Sequence, residues 1–296
     1  MKRSIVQHGS SSLTITLPIK WTERFSLKKG DDLEVEESGP QLIISTPRSQ
    51  AITKKEVSTT EYGVFTKNNL SHLYQLGYDE IEIKFDDAST LDEIKRRITN
   101  CIGFEIIDQK KDRVFIKSIA TTLDTEFDTL LRKSFLITKE MAEGIVQALE
   151  RGEPEELQGL RHMEALNNKF TDVCLRILSK RGYKVPHRTM QMYDIIKTLE
   201  RICDELKYIC DLQPKKIDKV HLALLREATE YFTTFYVLFY KFDPKLKKQL
   251  YELRKTLLAR IDEKMQNSPS PLLLHHIRNF VEKTYDGAGG YFALIL

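Results

Sequence analysis

The chain has 296 residues, 41% of them hydrophobic and 30% charged, with a formal net charge of +3. That balance excludes a disordered or collagenous chain and leaves room for two or three globular domains. It also excludes a uniformly basic protein, so any attraction to a polyanion must be local.

The charge is indeed local. Residues 1–30 carry Lys2, Arg3, Lys20, Arg24, Lys28 and Lys29 against Glu23 alone, a net +5. Residues 31–37 carry Asp31, Asp32, Glu34, Glu36 and Glu37, a net −5. Gly9-Ser10-Ser11-Ser12 reads as a flexible, hydroxyl-rich loop. Leu13, Ile15 and Leu17 alternate with Thr14 and Thr16, the period of a half-buried strand. Pro18 suits the first position of a helix, where its missing N–H costs nothing. Ile19 to Phe25 then forms one or two amphipathic turns, with Trp21 and Phe25 on one face. Lys29-Gly30-Asp31 turns the chain, Leu33 and Val35 alternate again, Gly39-Pro40 turns it once more, and Leu42-Ile43-Ile44 closes the unit as a strand. A domain under ~50 residues with no disulfide or metal is rarely stable alone. A second copy sharing one core is the simplest remedy, which predicts an obligate homodimer.

The run Gly9-Ser-Ser-Ser-Leu-Thr-Ile-Thr-Leu-Pro-Ile-Lys-Trp-Thr-Glu-Arg-Phe-Ser-Leu-Lys-Lys-Gly-Asp-Asp-Leu-Glu-Val-Glu resembles the AbrB/MazE/SpoVT swapped-hairpin DNA-binding domain over residues 1–46. The resemblance implies an interlocked dimeric β-barrel that grips double-stranded DNA. By position it implicates Lys2, Arg3, His8, Ser10, Ser11, Lys20 and Arg24 in DNA contact. The alternative is that these are solvated charges on a dimerisation module.

Residues 47–120 read as a small α+β connector. A short helix is predicted over 65–76, a strand over Ile81–Phe85, and a helix from Ser89 to about Cys101 capped by Ser89 or Thr90. A hairpin follows, Phe104–Ile107 and Val114–Ile119, around Gln109-Lys-Lys-Asp112. A structural spacer is expected here, with a sensory pocket as the alternative.

From Thr121 helical periodicity takes over. Six helices are predicted near 122–150, 154–181, 187–212, 216–241, 244–266 and 270–296, punctuated by Gly152-Glu-Pro154, Gly182 to Pro186, Pro214, Asp243-Pro244 and Ser268-Pro-Ser-Pro271. They divide into three plus three, about 121–213 and 214–296. Leu199-Glu-Arg-Ile-Cys-Asp204 in the third helix and Val281-Glu-Lys-Thr-Tyr-Asp286 in the sixth both place Glu and Asp at i, i+4, which suggests an internal duplication. Like charges so placed destabilise a bare helix by ~0.2–0.5 kcal/mol, so a cation is expected nearby. A metal ion held by carboxylates, or Lys or Arg from a neighbouring helix, would serve. Gly287 to Gly290 either lets helices approach closely or ends the helix. The aromatic stripe Tyr231, Phe232, Phe235, Tyr236, Phe239, Tyr240 is expected in the bundle core.

Two three-helix units with Glu-Arg-x-x-Asp, or its variant, on the third helix resemble the PhoU family of phosphate-uptake regulators over residues 121–296. The resemblance implies metal binding, by iron, zinc, magnesium or manganese, at Glu200, Asp204, Glu282 and Asp286 with Glu164 from the second helix. The partner motifs are degraded, since Asn168 follows Glu164 and Thr256 follows Glu252.

No nucleophile elbow, P-loop, G-x-G-x-x-G or H-E-x-x-H occurs, so an enzyme is not expected. Cys101, Cys174, Cys203 and Cys210 have no metal-finger spacing and read as free, buried thiols in a reducing cytoplasm. Neither a signal peptide nor a membrane-inserted segment is expected. Together these readings describe a multidomain α+β protein: a swapped-hairpin barrel, a connector and a pair of PhoU-like three-helix bundles. The whole layout resembles archaeal phosphate-uptake regulators. It implies a cytoplasmic, homodimeric transcription regulator of phosphate homeostasis, partnered by a transporter's ATPase subunit or a sensor kinase. The alternatives are an adaptor whose front module only dimerises, and an antitoxin-like or chromosome-associated DNA binder.

Overall fold

The computed structural model describes residues 2–46, 52–62, 67–119, 126–214 and 217–296. The chain divides into two compact units, Met1–Ile52 and Thr53–Leu296. The α+β segment and the helices, separated at residue 120 in the sequence reading, belong to one compact unit.

The first unit consists of two hairpins and a short helix. Strands β1 (Val6–His8) and β2 (Ser12–Thr14) pair antiparallel, with Val6 opposite Thr14 and His8 opposite Ser12. The predicted flexible loop is a tight turn over Gly9, Ser10 and Ser11, with Gly9 at φ +69°. Glycine takes that left-handed conformation without steric cost. Ser12 lies in the ladder and not in the loop. Helix α1 (Ile19–Arg24) follows, with Pro18 one position earlier than predicted. It is the N-cap, and its carbonyl accepts from Trp21 and Thr22. Strands β3 (Glu34–Ser38) and β4 (Gln41–Ser45) are joined by Gly39-Pro40, with Gly39 at φ +56°. Positive φ followed by proline's fixed negative φ is the pattern of a two-residue II′ hairpin turn.

These hairpins form two separate two-stranded sheets, and a single chain does not close the expected barrel. None of the residues of this unit whose burial is described is buried. Leu13 is 71% exposed and Leu42 64%, and Val35 shares a face with Leu42. A two-stranded hairpin with an uncovered apolar face is marginal in water.

The second unit begins with a four-stranded mixed sheet in the order β5-β6-β8-β7. Its strands are β5 (Lys54–Ser58), β6 (Glu80–Lys84), β7 (Phe104–Gln109) and β8 (Arg113–Ser118). Strand β5 is unanticipated, because Lys54, Lys55 and Glu56 mask its one buried residue, Val57. It runs parallel to β6 through a crossover containing α2 (Thr59–Tyr62) and α3 (Lys67–Gln75). Phe65, the predicted start of that helix, lies outside the described residues. Helix α4 (Ser89–Ile98) has Ala88 and not Ser89 or Thr90 at its N-cap. The Asp87 carboxylate takes the capping duty instead, accepting from the Ser89 backbone N–H at 2.9 Å.

The helices follow as α5 (Phe127–Arg151), α6 (Leu157–Arg161), α7 (Met163–Arg181), α8 (Thr189–Leu212), α9 (Lys219–Tyr240), α10 (Pro244–Met265) and α11 (Pro271–Ile295). The helix predicted over 154–181 is broken. A 3-10 turn, Pro154–Glu156, leads into α6, and His162 separates α6 from α7 with its N–H bonded to the Gly159 carbonyl, three residues back. Gly152 ends α5 at φ +74°. Helices α5, α7 and α8 pack together, as do α9, α10 and α11, and the triplets meet through α5 with α9 and α8 with α11. First helix meets first and third meets third, as a duplicated unit would arrange them. Most of the aromatic stripe is core: Phe135 lies between 4.8 and 6.2 Å from the rings of Phe232, Phe235, Tyr236, Phe239 and Tyr240. Tyr240 is exposed and lies beneath the Arg132 guanidinium.

Helix α7 joins the sheet segment to the bundle. Arg176 donates to the carbonyls of Tyr74 and Tyr78 at 3.1 and 2.7 Å and to Asp79 at 2.7 Å, and lies over the rings of Tyr74 and Phe104. One turn earlier, Asp172 accepts from Arg97 at 3.0 Å and from Gln75 at 2.6 Å. Among the described residues no helix is long and apolar enough to cross a membrane.

Candidate nucleic-acid interface

The residues implicated in DNA contact all lie in the first unit and all are exposed. Lys2 and Arg3 precede β1. His8 ends β1, and Ser10 and Ser11 form the turn beside it. That turn presents the exposed hydroxyls of Ser10 and Ser11, donors of the kind a phosphate backbone accepts from. Lys20 and Arg24 stand at i, i+4 and so share one face of α1. Trp21 and Phe25 share the adjacent face, with ring centroids 5.5 Å apart. The two rings are half-buried, while both cations are exposed. The acidic run is segregated from them. Asp31 is spent locally on a turn, accepting from the Lys28 backbone N–H at 2.7 Å, and Glu34 and Glu37 lie in β3.

The five carboxylates with an implied metal role stand in the second unit, and of them only Glu164 and Asp204 converge, on a shared ammonium. The Lys207 ammonium lies between Glu164 on α7, at 3.0 Å, and Asp204 on α8. Burial alone would lower the Lys207 pKa, but its bonds to Asp204 and Glu164 outweigh this and hold it above the ordinary lysine value. Glu200 pairs with Lys197 on its own helix. Glu282 on α11 accepts two bonds from Arg254 on α10, at 3.0 and 2.5 Å. Asp286 is exposed, and partial burial with the neighbouring Glu282 charge raises its pKa. Among the described residues no three His, Cys, Asp or Glu side chains are placed to hold a metal ion together. The donor set does not fit one, because its best-placed oxygens are already engaged by an ammonium and a guanidinium.

Several partners escaped the sequence reading. Glu205, next to Asp204, is the buried carboxylate that ties α8 to α11, bonding His276 at 2.7 Å and Lys283. Lys207 follows Asp204 by three residues, which was its only sequence signal. A polar groove of about 380 Å³ between α8 and α11 is lined by Asp194, Thr198, Arg201, Lys283 and Asp286 among others. Gly287 and Gly290 serve close approach and do not end the helix. A Cβ at Gly287 would stand 3.1 Å from the Phe235 ring, and one at Gly290 would stand 3.0 Å from Ile195. His275 and His276 diverge as expected of adjacent helical residues, to Asn279 and Glu205 respectively. All four cysteines are free and buried, and burial pushes the Cys101 and Cys210 thiols up to about 12, far from nucleophilic.

Comparison with curated proteins and with solved structures found no match. Residues 6–53 match the family described as antidote-toxin recognition MazE, bacterial antitoxin. That stretch holds both hairpins and α1, so the first unit is similar to a DNA-binding or antitoxin-type regulatory domain.

Proposed function

We propose that this chain is a homodimeric, DNA-binding regulator. Residues 1–46 of two copies form the DNA-gripping module, and the second unit carries the signal. The observation that supports this most is the first unit itself. It is a pair of hairpins with exposed apolar faces, segregated cations and a match to a regulatory domain family. A second copy would cover the apolar faces, and pairing would double the cationic surface facing a duplex. Lys20 and Arg24 position the module on phosphates, and the His8–Ser11 turn approaches the backbone.

The process regulated, in this reading, is phosphate uptake. Its support is the resemblance of two helix triplets, each with a carboxylate pair on its third helix, to PhoU. A transporter's ATPase subunit or a sensor kinase would then meet the helical half. Binding there would shift the relative populations of two bundle arrangements and so the affinity for DNA.

The test is fluorescence anisotropy with duplex DNA from upstream of phosphate-transport genes and a scrambled control, across a salt series. The expected result is preference for the first DNA. Lys20→Ala and Arg24→Ala should each flatten the salt slope by about one. Equal affinity for both DNAs would favour a second reading, an antitoxin-type protein, which the matched family's description supports. No binding at all would favour a dimeric adaptor acting only on protein partners.

A further inference from the structure

Each triplet sets a cation between its second and third helices, on a different member of the third helix's carboxylate pair. In the first, Lys207 on the third helix bonds Glu164 on the second and Asp204 on its own helix. In the second, Arg254 on the second helix bonds Glu282 on the third. Each cation therefore ties helix two to helix three, and in the first triplet it separates two carboxylates that would otherwise repel. The first site is well shielded, with the side chains of Lys207 and Glu164 16% and 14% exposed. Beside it Asn168 donates to Glu164 at 2.7 Å, while its own carbonyl oxygen is buried without a hydrogen-bond partner among the described residues. The Lys207 ammonium stands where the two carboxylates face each other, and the Asn168 amide, turned over, would add a third hard oxygen to them.

We propose that Lys207 and Arg254 are permanent internal counter-ions that make the helical half independent of metal. Removing the Lys207 charge would turn Glu164, Asn168 and Asp204 into an acquired Mg²⁺ or Mn²⁺ site. DNA binding plays no part in this inference. An ammonium and a divalent ion cannot occupy the same few ångströms, and a tethered cation is always present at full occupancy. It follows that the effector of the helical half is something other than a metal ion bound at Glu164, Asp204 or Glu282.

Thermal unfolding of the full-length chain, followed by its far-UV helical signal, tests this with EDTA, Mg²⁺ or Mn²⁺ present. Both ions prefer oxygen donors, which limits binding at histidine or cysteine. The wild-type Tm is expected to be the same in all three conditions. Lys207→Gln should have a lower Tm in EDTA and regain a few degrees with either ion, while Lys207→Arg should stay insensitive. A wild-type Tm that rises with Mg²⁺ or Mn²⁺, the rise being abolished by Glu164→Gln, overturns the proposal. So does a Lys207→Gln chain that folds and ignores both ions. Should Lys207→Gln not fold, Mn²⁺ titration of the wild type by electron paramagnetic resonance decides. A free-ion signal throughout, or a loss of signal unchanged by Asp204→Asn, supports the counter-ions. A loss that Asp204→Asn reverses refutes them.

Discussion

Asp172 shows what burial does to a single carboxyl. It is 1% exposed, and burial pushes its pKa up to about 6 from 3.8, with Arg97 and Gln75 pulling the other way. A carboxyl whose folded pKa lies above its unfolded value binds more protons in the native state. Its contribution to stability is therefore full below about pH 4 and is lost as the pH rises to 6 and beyond. The loss is on the order of 2–3 kcal/mol. Asp172→Asn cannot titrate, so the wild type should lose stability relative to this variant between pH 4 and 6. Urea unfolding of both proteins across that range measures the difference, and parallel profiles would contradict it. Nothing around Asp172 in the sequence announces this, because Gln75 and Arg97 lie 97 and 75 residues away.

At the scale of the element, α11 carries three glycines that the sequence makes equivalent and the packing does not. Gly289 has open space around it, whereas a Cβ at Gly287 would meet the Phe235 ring at 3.1 and 3.3 Å. Alanine at Gly289 should gain the helix propensity difference, ~0.5–1 kcal/mol. Alanine at Gly287 should lose that gain to overpacking and destabilise by about 1 kcal/mol. Midpoints of urea unfolding rank the two, and a gain at 287 equal to that at 289 would disprove the close approach. The helix boundaries themselves were legible, since Gly152, Gly182, Asp243-Pro244 and Pro271 stop or start helices by backbone chemistry alone. The break at His162 was not, because no Pro or Gly stands at that position and the apolar spacing runs on through it.

For the whole molecule, the two units differ in kind. Thr53–Leu296 buries a large apolar core, while the first unit buries none of the residues whose burial is described. Leu42→Asp should therefore leave the helical signal intact, yet shift the chain from dimer to monomer and abolish DNA binding. Light scattering after size-exclusion chromatography reads the mass, and a persisting dimer would mean that another surface holds the copies together. A charge placed at 64% exposure in the single chain is harmless there, so the loss isolates the interface.

The sequence by itself determined most local elements: the Gly39-Pro40 turn, the hairpin around Gln109–Asp112, the helix triplets, the buried thiols and the segregation of charge. Those follow from period, turn chemistry and caps, all of which act within a few residues. Only the tertiary structure decided what neutralises the carboxylates. Lys207 reaches Glu164 across 43 positions and Arg254 reaches Glu282 across 28. It alone decided that β5 completes the sheet, that Glu205 and not Asp204 is the buried acid of α8, and that the two hairpins of the first unit form separate sheets. Such outcomes depend on which distant side chains arrive at the same place, and a one-dimensional pattern holds no distance between them.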